Sequence, residues 1–343
     1  MSKHINIRRR LAFSAVVLTM GAAQFGMLGT AHAKASGATA VQALPAFKSI
    51  RQIDAGVLNV GYVDEGPADG PVVILLHGWP YDIHSFVDVV PLLTNAGYRV
   101  IVPHLRGFGT TRFLDANAAR TGQPAALAVD VIELMDALKI DKAILAGYDW
   151  GARTAGIVAA LWPQRVKGLV SVSGYLIGSQ QAGRQPLPPE AELQWWYQFY
   201  FATERGRIGY EKNHRDFAKL IWKTASPQWH FDEATYSRSA ASLENPDHVA
   251  ITIHNYRWRL GLDKGEARYD ELEARLARFP AITVPAITME GDANGAPHPD
   301  PAAYAKRFTG KYKHELISGG IGHNLPQEAP KAFANAVIEV DRL

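Results

Sequence analysis

Cysteine is absent from all 343 residues. That excludes a disulfide, a thiolate metal site and a lipid-modified cysteine. Stability must therefore come from the core alone. The 12 histidines form no ligand-spaced cluster, so nothing in the sequence calls for a metal or a cofactor. Internal repeats are missing, and so is low-complexity sequence beyond the first 33 residues. Excess positive charge is also scarce. Residues 1–33 hold four basic and no acidic residues. Without them the balance of 36 basic and 33 acidic residues falls from +3 to −1. The remainder offers no electrostatic case for nucleic acid.

Those first 33 residues read as an export signal. Lys3 and Arg8-Arg9-Arg10 make a basic start, Leu11 to Leu28 an apolar middle, and Ala31-His32-Ala33 a cleavage site. Arg8 to Phe13 loosely resembles a twin-arginine signal. Gly21, Gln24 and Gly26 make the apolar stretch a poor permanent span. The expectation is cleavage after about Ala33, a periplasmic or secreted protein, and no membrane attachment afterwards. A retained anchor is the alternative.

What is present is an alternation of strands and helices. Val72-Val73-Ile74-Leu75-Leu76 is a continuous apolar run, as in a buried parallel strand. Leu58–Val63, Tyr98–Val102, Ala143–Ala146 and Val166–Val172 also read as strands, and 127–138 as a helix. The alternation predicts an α/β fold, a mostly parallel sheet flanked by helices. It stops after Gly174. Residues 175–272 carry aromatic and charged residues at helical spacing and read as an inserted helical cap. Core segments are expected at 34–174 and 273–343, with strands at 282–289 and 314–317 and a last helix at 327–341.

Gly147-Tyr148-Asp149-Trp150-Gly151 sits between a strand and a helix. It has the shape of the G-x-S-x-G nucleophile elbow, with Asp in place of Ser. The two glycines allow a strained turn that projects the middle side chain. An aspartate there attacks carbon and forms an ester. His77-Gly78-Trp79-Pro80 follows a buried strand, and the Trp79 N–H is placed to donate to an oxyanion. The Trp150 N–H, one past the nucleophile, would be the second donor. His323 lies on a Gly-rich loop, 319–326, after the last strand, which suits a general base.

Taken together, H-G-x-P at 77–80, Arg106-Gly107-Phe108-Gly109, G-x-D-W-G at 147–151 and Gly322-His323-Asn324 resemble an α/β-hydrolase of the epoxide hydrolase type. Haloalkane and haloacetate dehalogenases are related to it. The resemblance covers nearly all of 45–343. It implies two cap tyrosines that hold and protonate an epoxide oxygen. Trp196-Tyr197-Gln198-Phe199-Tyr200-Phe201 and Asn255-Tyr256-Arg257 are similar to the segments that bear them. The candidates are Tyr197, with Tyr200 as fallback, and Tyr256. A phenol of pKa about 10 can protonate the alkoxide that ring opening creates. Arg153 matches an arginine that binds the substrate carboxylate in haloacetate dehalogenases. An ordinary helix-surface arginine would look the same.

The partner of His323 should follow the strand ending at Met289. The family spacing falls on Asn294; Asp292 is the nearest turn carboxylate, Glu290 precedes Gly291, and the alternative position after Val172 offers only Ser173. Asp292 is the choice. The reading is a cofactor-free epoxide hydrolase acting on a small, largely apolar molecule in an aromatic-walled pocket. Asp149, His323, Asp292, Tyr197 and Tyr256 carry the catalysis, and Trp79 and Trp150 supply the oxyanion hole. A dehalogenase with the same nucleophile is the runner-up. A catalytically silent hydrolase-fold binding protein is the third reading. Oligomeric state is not legible.

Overall fold

The computed structural model describes Phe47 and residues 49–343. The export signal lies outside the described residues. Nine strands form one sheet: β1 (Arg51–Ala55), β2 (Leu58–Glu65), β3 (Val72–Leu76), β4 (Arg99–Pro103), β5 (Arg112–Phe113), β6 (Ala143–Gly147), β7 (Val166–Val172), β8 (Ala286–Gly291) and β9 (Tyr312–Ile317). Their order is β1-β2-β4-β3-β6-β7-β8-β9, with β5 beside β2. β1, β4 and β5 pair β2 antiparallel. From β4 onward every pairing is parallel. The α/β expectation holds. β3 and β6 read as unbroken apolar runs because helices cover both faces of a parallel sheet.

Between β7 and β8 the chain forms helices and single 3-10 turns across residues 180–276. Three of these helices, Trp196–Phe201, Glu204–Ala225 and His248–Arg259, matter for the site. This insertion and the sheet belong to one compact unit. No helix among the described residues is long and apolar enough to cross a membrane.

Two of the boundaries that differ from expectation are set by proline. The strand expected from Ile282 starts at Ala286, and Ile282 makes only an isolated bridge to Phe308. Pro285 has no N–H to give a ladder, which delays the pairing. The final helix divides into Leu325–Glu328 and Pro330–Val340. Pro330 removes a helical donor and starts a new first turn.

The parallel strands β3, β6, β7, β8 and β9 stand side by side. The carboxyl ends of such strands are where an open α/β sheet gathers its functional loops. Trp79, Asp149, Ser173, Asn294 and His323 all lie in the segments just beyond those ends.

Candidate active site

Asp149 follows β6 and precedes the helix Trp150–Leu161, with φ 52° and ψ −121°. The strain sits on the aspartate itself. A non-Gly residue in this region costs on the order of 1–3 kcal/mol. Neither Gly147 nor Gly151 has positive φ. Their role is closeness rather than the permissive dihedrals expected for them. A Cβ on Gly151 would lie 1.9 Å from the Leu76 carbonyl oxygen, and one on Gly78 would lie 2.5 Å from the Asp149 Cβ. Helix, strand end and Asp149 meet where only hydrogen atoms fit.

The two carboxylate oxygens of Asp149 differ. Oδ1 accepts from the Trp79 N–H at 2.9 Å. Oδ2 lies 3.5 Å from His323 Nε2. Burial alone would raise the carboxyl's pKa. The hydrogen bond and charge of His323, the charge of Arg153 and the Trp79 N–H outweigh it and hold Asp149 below its ordinary value. Trp150 opens its helix, so its N–H has no intrahelical acceptor.

His323 is buried, and its loop is tied at both ends of the imidazole. The backbone N–H donates to Ser226 Oγ at 2.9 Å, and Ser226 Oγ donates to Glu328 at 2.7 Å. Nδ1 lies 3.2 Å from Asn294 Oδ1. Here the expectation is corrected: Asp292 does not reach His323. Its carboxylate is exposed and accepts from the N–H groups of Gly319, Gly320 and Ile321 at 2.9–3.0 Å. Asn294 N–H donates to Gly291 O and closes the turn. The residue closing that turn points to the histidine, while Asp292 inside it points to the opposite loop.

The orientation of Asn294 follows from its partners. Nδ2 lies 2.7 Å from Glu290 Oε1 and 3.4 Å from Ser173 Oγ. Oδ1 accepts from the Ala296 N–H at 2.9 Å. A backbone N–H only donates, so the Ala296 contact identifies the amide oxygen. The amide NH2 must therefore face Glu290 and its oxygen must face His323. That oxygen requires the proton on Nδ1, which leaves Nε2 to act toward Asp149. Glu290 is buried and touches the histidine only through Asn294.

Tyr197 and Tyr256 line the same cavity as Asp149, His323 and Trp79; its volume is about 430 Å³. Their rings meet edge to face with centroids 5.3 Å apart. Burial pushes the Tyr256 phenol far above its ordinary value, reinforced by Tyr197 and Asp149 and opposed by Arg259. Burial and Asp149 also raise Tyr197, against Arg259 and a hydrogen bond with Tyr256. Both remain proton donors at neutral pH. Tyr200, the fallback, instead stacks on Phe217.

Both indole N–H groups near Asp149 have tyrosine partners. Trp150 Nε1 donates to Tyr256 OH at 3.4 Å. Trp79 Nε1 donates to Tyr210 OH at 3.0 Å, and Tyr210 OH lies 2.8 Å from His248 Nε2. This Trp79–Tyr210–His248 chain escaped the sequence reading, since nothing local connects the three. His77 is buried away from the cavity, accepting from the Leu105 N–H. Arg106 forks onto Asp130 with two contacts of 2.6 Å, which braces the loop after β4. Among the described residues no cluster of three or more His, Asp or Glu is placed to hold a metal ion.

Arg153 and Arg259 also line the cavity. Arg259 was missed, because an arginine at a helix end looks solvent-facing. The available signal was its spacing, three residues after Tyr256 and so on the same helical face.

Comparison with known proteins agrees with this architecture. The family model described as alpha/beta hydrolase fold matches residues 71–207. A proposed epoxide hydrolase from Klebsiella pneumoniae, of known structure, is 67% identical. It superposes with a TM-score of 0.86 over 87% of this chain and 98% of that one. Epoxide hydrolase B of Mycobacterium tuberculosis is 35% identical over 161 residues, 43% of this chain and 44% of the relative. A haloalkane dehalogenase of Mycobacterium marinum is 33% identical over 144 residues, 41% and 46% of the two chains. The match thus spans less than half the length of these two curated relatives. With its parallel sheet, Asp-bearing elbow and helical insertion, the chain belongs to the alpha/beta hydrolase family, among proteins of the epoxide hydrolase type.

Proposed function

We propose that the protein opens epoxides to vicinal diols through a covalent ester on Asp149. The observation that carries this reading is one cavity holding a depressed-pKa carboxylate and two phenols kept protonated. Asp149 Oδ1 is engaged by the Trp79 N–H, so Oδ2 is the attacking atom. It forms a bond to an epoxide carbon as that carbon's ring C–O bond breaks. The electron pair leaves on the epoxide oxygen, which takes a proton from Tyr197 or Tyr256. His323 Nε2 then takes a proton from water, which attacks the Asp149 carbonyl carbon. The developing charge falls on Oδ1, against the N–H groups of Trp79 and Trp150. Collapse releases the diol, which carries the former Oδ2. The leaving oxygen takes the proton from His323, and the proton left on the Asp149 carboxyl returns to the tyrosine through solvent or product.

The relative named haloalkane dehalogenase keeps halide cleavage as a second reading, with the same nucleophile. Against it, both indole N–H groups already donate to tyrosine oxygens, and a halide needs free donors. Incubation with styrene oxide, a haloalkane and fluoroacetate separates these readings. The proposal expects diol from the epoxide and no halide release. Halide without diol would favour the dehalogenase. No product from any of them, with saturable binding and no adduct on Asp149, would leave a catalytically silent binding protein.

A further inference from the structure

Ester formation changes what surrounds His323. A free Asp149 carboxylate stands 3.5 Å from Nε2. As an ester it has no charge, and Asn294 on the Nδ1 side is neutral as well. Taking a proton from water nevertheless makes the imidazole a cation at that stage. A cation in a buried place needs an anion near it. The rings of Tyr81 and Tyr148 lie 6.2 Å from the imidazole ring, and burial pushes both phenols far above their ordinary value, so they stay neutral. Arg153 and Arg259, which line the same cavity, are cations. Glu290 is one amide away, behind Asn294. Glu328 approaches from the backbone side.

Glu328 ends the short helix Leu325–Glu328 that follows the Gly-rich loop. Its half-buried carboxylate meets three consecutive N–H groups, two directly and one through Ser226. Oε2 accepts from the Gly322 N–H at 2.7 Å, and Oε1 accepts from the Asn324 N–H at 3.0 Å. The His323 N–H reaches Ser226 Oγ at 2.9 Å, and Oγ reaches Glu328 Oε1 at 2.7 Å. Because the backbone N–H donates, Ser226 Oγ accepts there and its O–H is free to point at Glu328. Every one of these contacts brings a donor to the carboxylate, which favours its ionised form. Burial raises the Glu328 carboxyl above its ordinary value, and Ser226, the two N–H groups and the charge of His323 oppose that rise.

Ser226 belongs to the cap, one residue past the helix Glu204–Ala225, and is buried. A Cβ on Gly322 would lie 2.5 Å from its Oγ, so the loop admits this bridge only with glycine there. The neighbouring Ala225 carbonyl accepts from the Gly295 N–H at 2.8 Å, one residue past Asn294. Two adjacent cap residues thus hold the loops on both sides of the imidazole.

We propose that Glu328, acting through Ser226 and the flanking peptide groups, is a positioning residue that supplies the negative charge His323 lacks at Asn294. It holds the imidazole in place and favours its protonated form while water attacks. The timing rests on the proposed ester at Asp149. The coupling between Glu328 and His323 does not.

Nuclear magnetic resonance titration of His323 tests the coupling without turnover. The full chain contains carbon-13 histidine and Asp149→Asn, which mimics the uncharged ester, and His323→Gln identifies the resonance. Adding Glu328→Gln should lower the titration midpoint by about 0.5–1 pH unit, because a nearby anion is lost. Ser226→Ala keeps the charge but cuts the bridge, and should lower it by less. Glu328→Asp should keep the midpoint above that of Glu328→Gln. An unmoved midpoint with Glu328→Gln overturns the proposal. If that variant does not fold, an unmoved midpoint with Ser226→Ala overturns it. With Asp149 intact and styrene oxide as substrate, Glu328→Gln should slow ester hydrolysis about threefold to tenfold more than alkylation. Equal slowing of both steps would make Glu328 a brace for the fold and would also overturn it. No adduct and no diol from the unaltered protein, with the midpoint still falling, sinks the hydrolase reading and leaves the coupling standing.

Discussion

His323 presents its Nδ1 to the side-chain oxygen of Asn294, 3.2 Å away, where a hydrolase triad has a carboxylate. Behind Asn294 stands Glu290, 2.7 Å from the amide nitrogen. The amide passes on orientation: Glu290 fixes the amide, the amide fixes the tautomer, and the tautomer leaves Nε2 free to accept a proton. What it does not pass on is a full negative charge beside the imidazole.

This division of labour predicts that Asn294 matters more for the second half of the reaction than for the first. Asn294→Ala should leave alkylation of Asp149 within a few-fold while ester hydrolysis slows by about 10²–10⁴. Intact-protein mass spectrometry would then show the adduct accumulating during turnover. Equal slowing of both steps would remove Asn294 from the base's support.

Glu290→Gln keeps a hydrogen-bond acceptor but removes its charge. The loss is about 1 kcal/mol, the difference between charged and neutral hydrogen bonds, or about fivefold in ester hydrolysis. Asn294→Asp alone should not improve the enzyme, because it sets two carboxylates against each other and one must hold a proton. Pairing Asn294→Asp with Glu290→Gln relieves that conflict, so the double variant should hydrolyse the ester faster than Asn294→Asp. A double variant slower than both singles would contradict the chain of contacts.

On the proposed reaction the tyrosines act in the first step. Tyr197→Phe and Tyr256→Phe should each slow alkylation by a factor of about ten or more, and the double variant by about 10²–10⁴. Burial raises both phenols, so they stay protonated above the ordinary phenol value of about 10. The Asp149 carboxyl is held below its ordinary value of about 4. Stopped-flow alkylation rates should therefore stay flat from about pH 5 to about pH 10. A midpoint near pH 7 in this step would mean that another group supplies the proton.

Glu273 gives a pH dependence of stability rather than of activity. Burial raises its carboxyl to about 7, opposed by the Ala125 N–H that it accepts at 2.9 Å. The unfolded chain releases this proton near pH 4.3. Between those values the folded chain holds a proton that the unfolded chain has lost, so stability falls as pH rises toward 7 and is lower above it. Glu273→Gln should remove that slope, gaining on the unaltered protein at pH 8 relative to pH 4.5 in urea melts. Parallel pH profiles for the two proteins would contradict the assignment.

Most of the sheet was legible because buried parallel strands write themselves as apolar runs. β1 was not: Arg51-Gln52-Ile53-Asp54-Ala55 is largely exposed, and its place depends on pairing with β2. Asp149 and His323 were legible because a sharp strand–helix turn and a Gly-rich loop constrain their neighbours in sequence. Asp292 was misread because sequence distance does not reveal which side of a turn faces inward. Its carboxylate instead holds three N–H groups of the loop that carries His323. Arg259 and Tyr210 were invisible for a different reason. Cap helices meet the core only after folding, so their contacts have no local signature.

The account rests on a covalent ester at Asp149, and a single turnover in oxygen-18 water tests that most directly. With enzyme in excess over styrene oxide, the account predicts a first diol with unlabelled oxygen, and one oxygen-18 atom in the peptide that contains Asp149. Diol labelled in that first turnover, with an unlabelled Asp149 peptide, would mean that water attacks the epoxide directly and would contradict it.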